Sequence, residues 1–268
     1  MPDFQLLTLL AVAPASAKKS LQAAFFKNWR TSVWRKSLLT LLATGAVVAG
    51  LLSHYNVSTA LTPEDRHYLQ LFLPGLPEGC ARQAPYAEQV RLIRLAQLAL
   101  SARVTGWQGI PDNQPREPKQ LYLSRNGLCY DRSRVLEKMC AYLGLPTRHL
   151  FLLTREPQTM TTATLLHHVP SHAISEVKTR RGWLMLDSNY PWLSLDAQGQ
   201  PVDMEQLQAS YEQQKPVRWL APLNGLDATF YRNPCIILYG LYSRHGAFYP
   251  PYTRGIPDFR VQELLYNL

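Results

Sequence analysis

Seventeen consecutive residues, Ser37–Ser53 (SLLTLLATGAVVAGLLS), carry no charge, and beyond His54 the uncharged stretch continues to Pro63. An α-helix needs roughly 17–25 apolar residues to cross a bilayer, so the run reaches the required length. Gly45 and Gly50 suit a membrane helix better than a soluble one, and Trp29, Trp34 and Tyr55 flank the run as interfacial aromatics do. A buried core helix would present a polar face, whereas the polar residues here are Thr40, Thr44 and the two terminal serines. We therefore read 37–53 as a transmembrane helix.

The charge distribution orients it. The chain carries a formal charge of +9, but residues 1–36 hold six cations against the single Asp3. The other 232 residues have a net charge of only +4. The positive-inside rule then places the basic arm 1–36 in the cytoplasm and residues 54–268 outside. In a bacterium this is a single-pass inner-membrane protein with its body in the periplasm. A competing reading is a cleaved signal peptide, with Leu6–Ala13 as its apolar region and Ala15-Ser16-Ala17 as its cleavage site. It lacks a basic start, and it too exports the body. No basic stripe with interleaved aromatics appears, so nucleic acid is not an expected partner.

The exported part reads as helices followed by strands. Thr62-Pro63-Glu64-Asp65 is a helix start, with a cap, a first-position proline and acids in the first turn. That helix ends near Leu73. A second is expected over Pro85–Val104, where Val90, Ile93, Gln97 and Leu100 track one face. Thr105–Lys119, with two glycines and three prolines, is expected as a loop. A third helix is expected over Asn126–Leu143, ended by Gly144-Leu145-Pro146. Strands are expected at Thr147–Thr154, His172–Val177 and Trp183–Asp187. Helices first and strands afterwards define an α+β class. We divide the exported part into a domain over 54–217 and a Tyr/Pro-rich extension over 218–268 that packs on it.

Cys129 sits at the start of the third helix, where unpaired N–H groups and the positive dipole end favour a thiolate, the nucleophilic form. Asp131 in the same turn opposes this unless it points aside. Downstream, His172–Val177 and Trp183–Asp187 read as a hairpin. With a four-residue loop at 178–181, His172 lies opposite Asp187 on one face. With a two-residue loop they become diagonal neighbours, and an odd loop would separate them. A carboxylate so placed holds one imidazole nitrogen and leaves the other free as a base.

Gly127-Leu128-Cys129-Tyr130-Asp131, the helix and Gly144-Leu145-Pro146-Thr147-Arg148 resemble the cysteine motif of the transglutaminase-like superfamily, G-x-C-x-D followed by G-[IL]-P-x-R. His172-Ala173, Glu176-Val177, Gly182-Trp183 and Leu186-Asp187 resemble its H-A-[WF]-x-E-V and G-W-x-x-[LV]-D motifs. The likeness covers about residues 85–195. It implies a papain-like core, with the Cys-bearing helix packed on an antiparallel sheet. It also implies that Cys129 attacks a carbonyl carbon, His172 relays the proton and Asp187 orients the histidine. Two departures bear on the shape of the substrate groove: Ile174 stands where an aromatic is frequent, and Ser188-Asn189 stand where Pro-Thr is common.

The expected product of attack is a thioester. Water resolves it in a peptidase or amidase, and an amine resolves it in a cross-linking transglutaminase. We favour hydrolysis of a protein or peptide substrate in the cell envelope. A catalytically silent module in envelope or exopolysaccharide assembly is the reading from another class. The Cys129 N–H is one expected oxyanion donor, with Asn113, Gln114, Tyr122 and Asn126 as candidates for a second. No cofactor or metal is expected: His167 and His168 lie near His172 without a Cys or carboxylate to complete a site. His149 and His245 are expected to pack or lie exposed, and Cys140 to be core. A Cys80–Cys235 disulfide is allowed in an exported domain. The aromatic run Tyr242–Tyr252 reads as a covering tail, or as a platform for glycan or peptide. Oligomeric state is left open.

Overall fold

The computed structural model describes residues 15–54, 56–111, 114–154, 169–223, 225, 227–242 and 260–268. The chain forms two compact units, 1–54 and 55–268. In the first, α1 spans Ala15–His54. Within it, Val33–His54 is long and apolar enough to cross a membrane, and none of that window is buried. The proposed leader segment Leu6–Ala13 lies outside the described residues.

In the second unit, α2 spans Pro63–Phe72. The Thr62 side chain accepts from the Asp65 N–H, and Asp65 Oδ2 accepts from the Thr62 N–H at 2.8 Å, closing a capping box. α3 runs Tyr86–Arg103. The expected loop at 105–119 is shorter than read, because α4 spans Pro118–Ser124. Pro118 is a first-turn helix residue, which proline tolerates because its missing N–H has no helical partner there anyway.

α5 spans Cys129–Tyr142, starting three residues later than expected. Asp131 Oδ2 accepts from the N–H groups of Leu128 and Ile110, both at 3.1 Å. Leu128 is thereby held extended, and Cys129 becomes the first helical residue. Gly144, at φ +90°, turns the chain out of the helix.

The main sheet has the order β3-β2-β1-β6, all antiparallel. β1 is Thr147–Thr154, β2 Ser171–Thr179, β3 Gly182–Leu186 and β6 Cys235–Tyr239; β4 (Ser194–Leu195) and β5 (Arg218–Trp219) form a second, two-stranded sheet, and α6 (Met204–Glu212) lies between them in sequence. The twofold side-chain period sends Leu150, Leu152 and Ile174 into one core cluster and Phe151 and Leu153 into another. α5 packs on β2 and β1. Its Glu137 accepts from Ser175 Oγ at 2.8 Å and pairs with His149 Nδ1 at 2.7 Å, so His149 is a buried, bonded histidine.

The motif residues Arg148 and Glu176 are direct cross-strand partners, with Arg148 Nε donating to Glu176 at 2.5 Å. Burial pushes the Glu176 carboxyl up to about 7, against the pull of Arg148. Neither residue lines the site described below; both fasten β1 to β2.

Residues beyond Arg218 do more than cover the domain, since β6 extends the sheet beside β1. Tyr242 stacks on His149 with ring centroids 3.8 Å apart, and its O–H donates to Glu137 at 2.7 Å. Residues 243–252 and His245 lie outside the described residues. Cys80 and Cys235 are separate free thiols, packed against different core clusters, so the allowed disulfide is not formed. Cys140 is core, and burial raises its thiol to about 12.

Candidate active site

The hairpin register differs from the one expected. Thr179 pairs with Gly182 and Ser175 with Leu186, so the loop is the two residues Arg180-Arg181. Gly182 sits at φ +144°, which L side chains avoid, and lets the chain turn this early. Asp187 lies just beyond β3, diagonal to His172 rather than opposite it. The even loop keeps both on one face.

The pair meets directly: His172 Nε2 donates to Asp187 Oδ2 at 2.7 Å, with both side chains buried. Asp187 Oδ1 accepts from the N–H groups of Asn189 at 2.6 Å and Tyr190 at 2.7 Å. Tyr231 donates a further, short hydrogen bond to Oδ2. Four donors thus hold this carboxylate in place.

Cys129 interacts with His172 as well, and both line one cleft. Burial by itself lowers an imidazole pKa; against it, Asp187 and then Cys129 hold His172 well above its ordinary value. With Nε2 given to Asp187, Nδ1 is the ring nitrogen left to meet sulfur. The Cys129 N–H occupies the first helical position, where no intrahelical carbonyl reaches it.

Cys129 and His172 open onto a cleft of about 480 Å³, also lined by Trp107, Leu128, Ser171, Asn189, Tyr190 and Asp227. Arg132, buried one turn into α5, stacks its guanidinium 4.3 Å from the Trp107 ring centroid and donates to the carbonyls of Gly127 and Gly106. Its charge interacts with Asp187 and Cys129.

Residues 82–196 match the sequence model of the transglutaminase-like superfamily. That stretch is transglutaminase-like. No curated protein matches the chain. Among solved structures it is similar to a Cytophaga hutchinsonii chain provisionally described as a cysteine protease, at 14% identity and a TM-score of 0.26. That match covers 55% of this chain and 49% of the other, about half its length.

Several parts of the transglutaminase-like site carried no sequence signal. Tyr231 lies 44 residues from Asp187, in the short helix α7 (Thr229–Arg232). Its neighbour Phe230 stacks on His172 with centroids 5.4 Å apart. Gln97, read only as part of an apolar helical face, is buried and donates to the carbonyls of Asp187 (2.9 Å), Trp192 (3.1 Å) and Tyr190 (3.3 Å). It pins the loop that carries the carboxylate. Conversely, Tyr122 packs against Phe72 and beneath Arg103, and Asn126 bonds back to Ser124, so neither expected oxyanion candidate lines the cleft. Gln114 does not line it either, and Asn113, His167 and His168 lie outside the described residues.

Proposed function

We propose that this transglutaminase-like domain is a cysteine hydrolase, a peptidase or amidase working through a Cys129 thioester. The observation that carries the reading is that Cys129 and His172 line one cleft while His172 Nε2 is bonded to Asp187. The Cys129 thiolate attacks the substrate carbonyl carbon while His172 holds the proton. The resulting oxyanion is stabilised by the Cys129 N–H. Collapse expels the amine, which takes the proton from His172, and leaves a thioester. Water then gives its proton to His172 and attacks the thioester. The acid leaves, and the proton returns to sulfur. Asp187 supports the imidazolium formed along the way.

The substrate is a protein or peptide of the cell envelope, with the catalytic unit outside the cytoplasm and the chain anchored by the helix at 37–53. The apolar window and the basic residues before it support that arrangement. Cys129→Ala should abolish turnover, and wild-type Cys129 should alkylate with iodoacetamide below pH 7. Turnover retained by Cys129→Ala would end the proposal. A C-terminus protected from protease in intact spheroplasts would overturn the topology.

A further inference from the structure

The cleft beside Cys129 has an uneven wall. Asp227 is half-buried, and it is the sole carboxylate among the described residues lining the cleft. It has no cationic partner among the described residues, and its hydrogen bond is the one Asn189 Nδ2 donates to Oδ2 at 2.7 Å. Asn189 is itself buried, and its side-chain carbonyl oxygen has no hydrogen-bond partner. The acceptor this wall offers to the cleft is the Asp227 carboxylate.

The same cleft holds an aromatic pair, Trp107 and Tyr190, with ring centroids 6.0 Å apart. Trp107 is 52% exposed although large and apolar. Arg132 occupies one face of its ring. That guanidinium donates to the carbonyls of Gly127 and Gly106, and its charge interacts with Asp187, Cys129, Tyr190 and Asp131. The other titratable groups lining the cleft are Cys129, His172 and Tyr190. A negative charge beside exposed aromatic surface suits an aliphatic stem ending in a cation: the stem covers the rings and the cation meets the carboxylate.

We propose that Asp227, tethered by Asn189 and accompanied by Trp107 and Tyr190, is a subsite for a cationic side chain of the substrate, an ammonium or guanidinium. Asn189 occupies one of the positions where the sequence departs from the common superfamily pattern, so this tether is a feature of the present chain. The inference rests on the reading of Cys129 as nucleophile and adds a substrate class to it: peptides carrying Lys or Arg close to the scissile bond.

The test needs no known substrate. The full chain in detergent is treated with three methanethiosulfonates of similar size, carrying a cationic, a neutral or an anionic tail. Each forms a disulfide with the thiolate and releases methanesulfinate. Rates are read at the Cys129 peptide by mass mapping. Asp227→Asn should lower the cation-to-anion rate ratio about fivefold and leave the neutral rate unchanged within about twofold. Trp107→Leu, at an exposed position, should lower the ratio about twofold.

Protection of Cys129 from the neutral reagent supplies the second arm. N-acetyl-lysine amide should protect at about fivefold lower concentration than N-acetyl-norleucine amide, and Asp227→Asn should erase the difference. A neutral rate no faster than that of an ordinary exposed thiol would sink the nucleophile. A fast neutral rate with ratios and protection identical in wild type and Asp227→Asn would overturn the cationic subsite alone.

Discussion

Replacing Tyr231 by Phe removes a single oxygen from the site. The phenol is buried, and its O–H reaches the Asp187 oxygen that also accepts from His172. Burial and the adjacent carboxylate push the phenol pKa well above its usual value, so the group remains a donor at any working pH. Phe keeps the ring contacts to Trp192 and Trp219, at 5.9 and 5.3 Å between centroids. What disappears is a hydrogen bond to a charged acceptor, worth about 1.5–3 kcal/mol in a site that water does not refill. For a domain of this size that corresponds to a fall in Tm of roughly 3–12 °C.

The loss also has an electrostatic direction. With one donor fewer, Asp187 presents more charge to His172, and its imidazolium becomes more stable. The inflection at which His172 loses its proton should therefore move to higher pH. We expect kcat/KM to fall about tenfold as the carboxylate and imidazole gain freedom. The assay is the iodoacetamide alkylation rate of Cys129 against pH, in the full chain, alongside its thermal melt. A lower Tm with an unmoved inflection would refute the reasoning, because it would make Tyr231 packing material rather than a brace for Asp187.

Other outcomes follow from the same geometry. Gln97→Leu leaves the carbonyls of Asp187, Tyr190 and Trp192 without their side-chain donor; it should cost about 1–3 kcal/mol in a urea melt and slow Cys129 alkylation. Lys138→Met strands the buried Asp65 carboxylate, which Lys138 contacts at 2.7 Å, and should destabilise by about 3–5 kcal/mol. Adding Asp65→Asn should recover most of that loss, and a double variant as unstable as the single one would contradict the pairing. Burial raises Glu176 from 4.5 to about 7, so the native state retains a proton that the unfolded chain has released between those values. Stability contributed by this group is fully present below about pH 4.5 and lost as pH rises towards 7; Glu176→Gln should flatten that slope in melts taken across the range.

What could be read from the sequence was local. Thr62-Pro63-Glu64-Asp65 reads as a helix start, and the structure begins a helix there, closed by a Thr62–Asp65 capping box. β1 has the bounds expected, Thr147–Thr154, because its apolar run is set off by Gly144 and Pro146 before it. Pro118 was ambiguous for a physical reason: the same residue that breaks a helix interior also starts one, and only the following turn of Pro118–Ser124 decides. The hairpin was legible in its parity and not in its length. Face assignment depends on an even loop, whereas loop length depends on Gly182 adopting a backbone angle that no residue count reveals.

Tyr231, Phe230 and Gln97 were illegible for a different reason. Their roles are defined by partners 44, 58 and 90 residues away, and each has a local pattern that ordinary packing would explain equally well. The histidine and its acid come from one hairpin, but the groups holding that acid come from α3 and α7, on either side of it in sequence. The residues matched to the superfamily end at 196, short of the Tyr231 brace and of Asp227 in the cleft. A fragment cut at that boundary would keep Cys129, His172 and Asp187, yet lose a donor to the carboxylate, the ring stacked on the imidazole and the strand beside β1. The segment beyond 218 is therefore part of the cleft's construction: Cys129, His172 and Asp187 lie within the superfamily motifs, while contacts that hold the acid, and part of the cleft wall, extend beyond them.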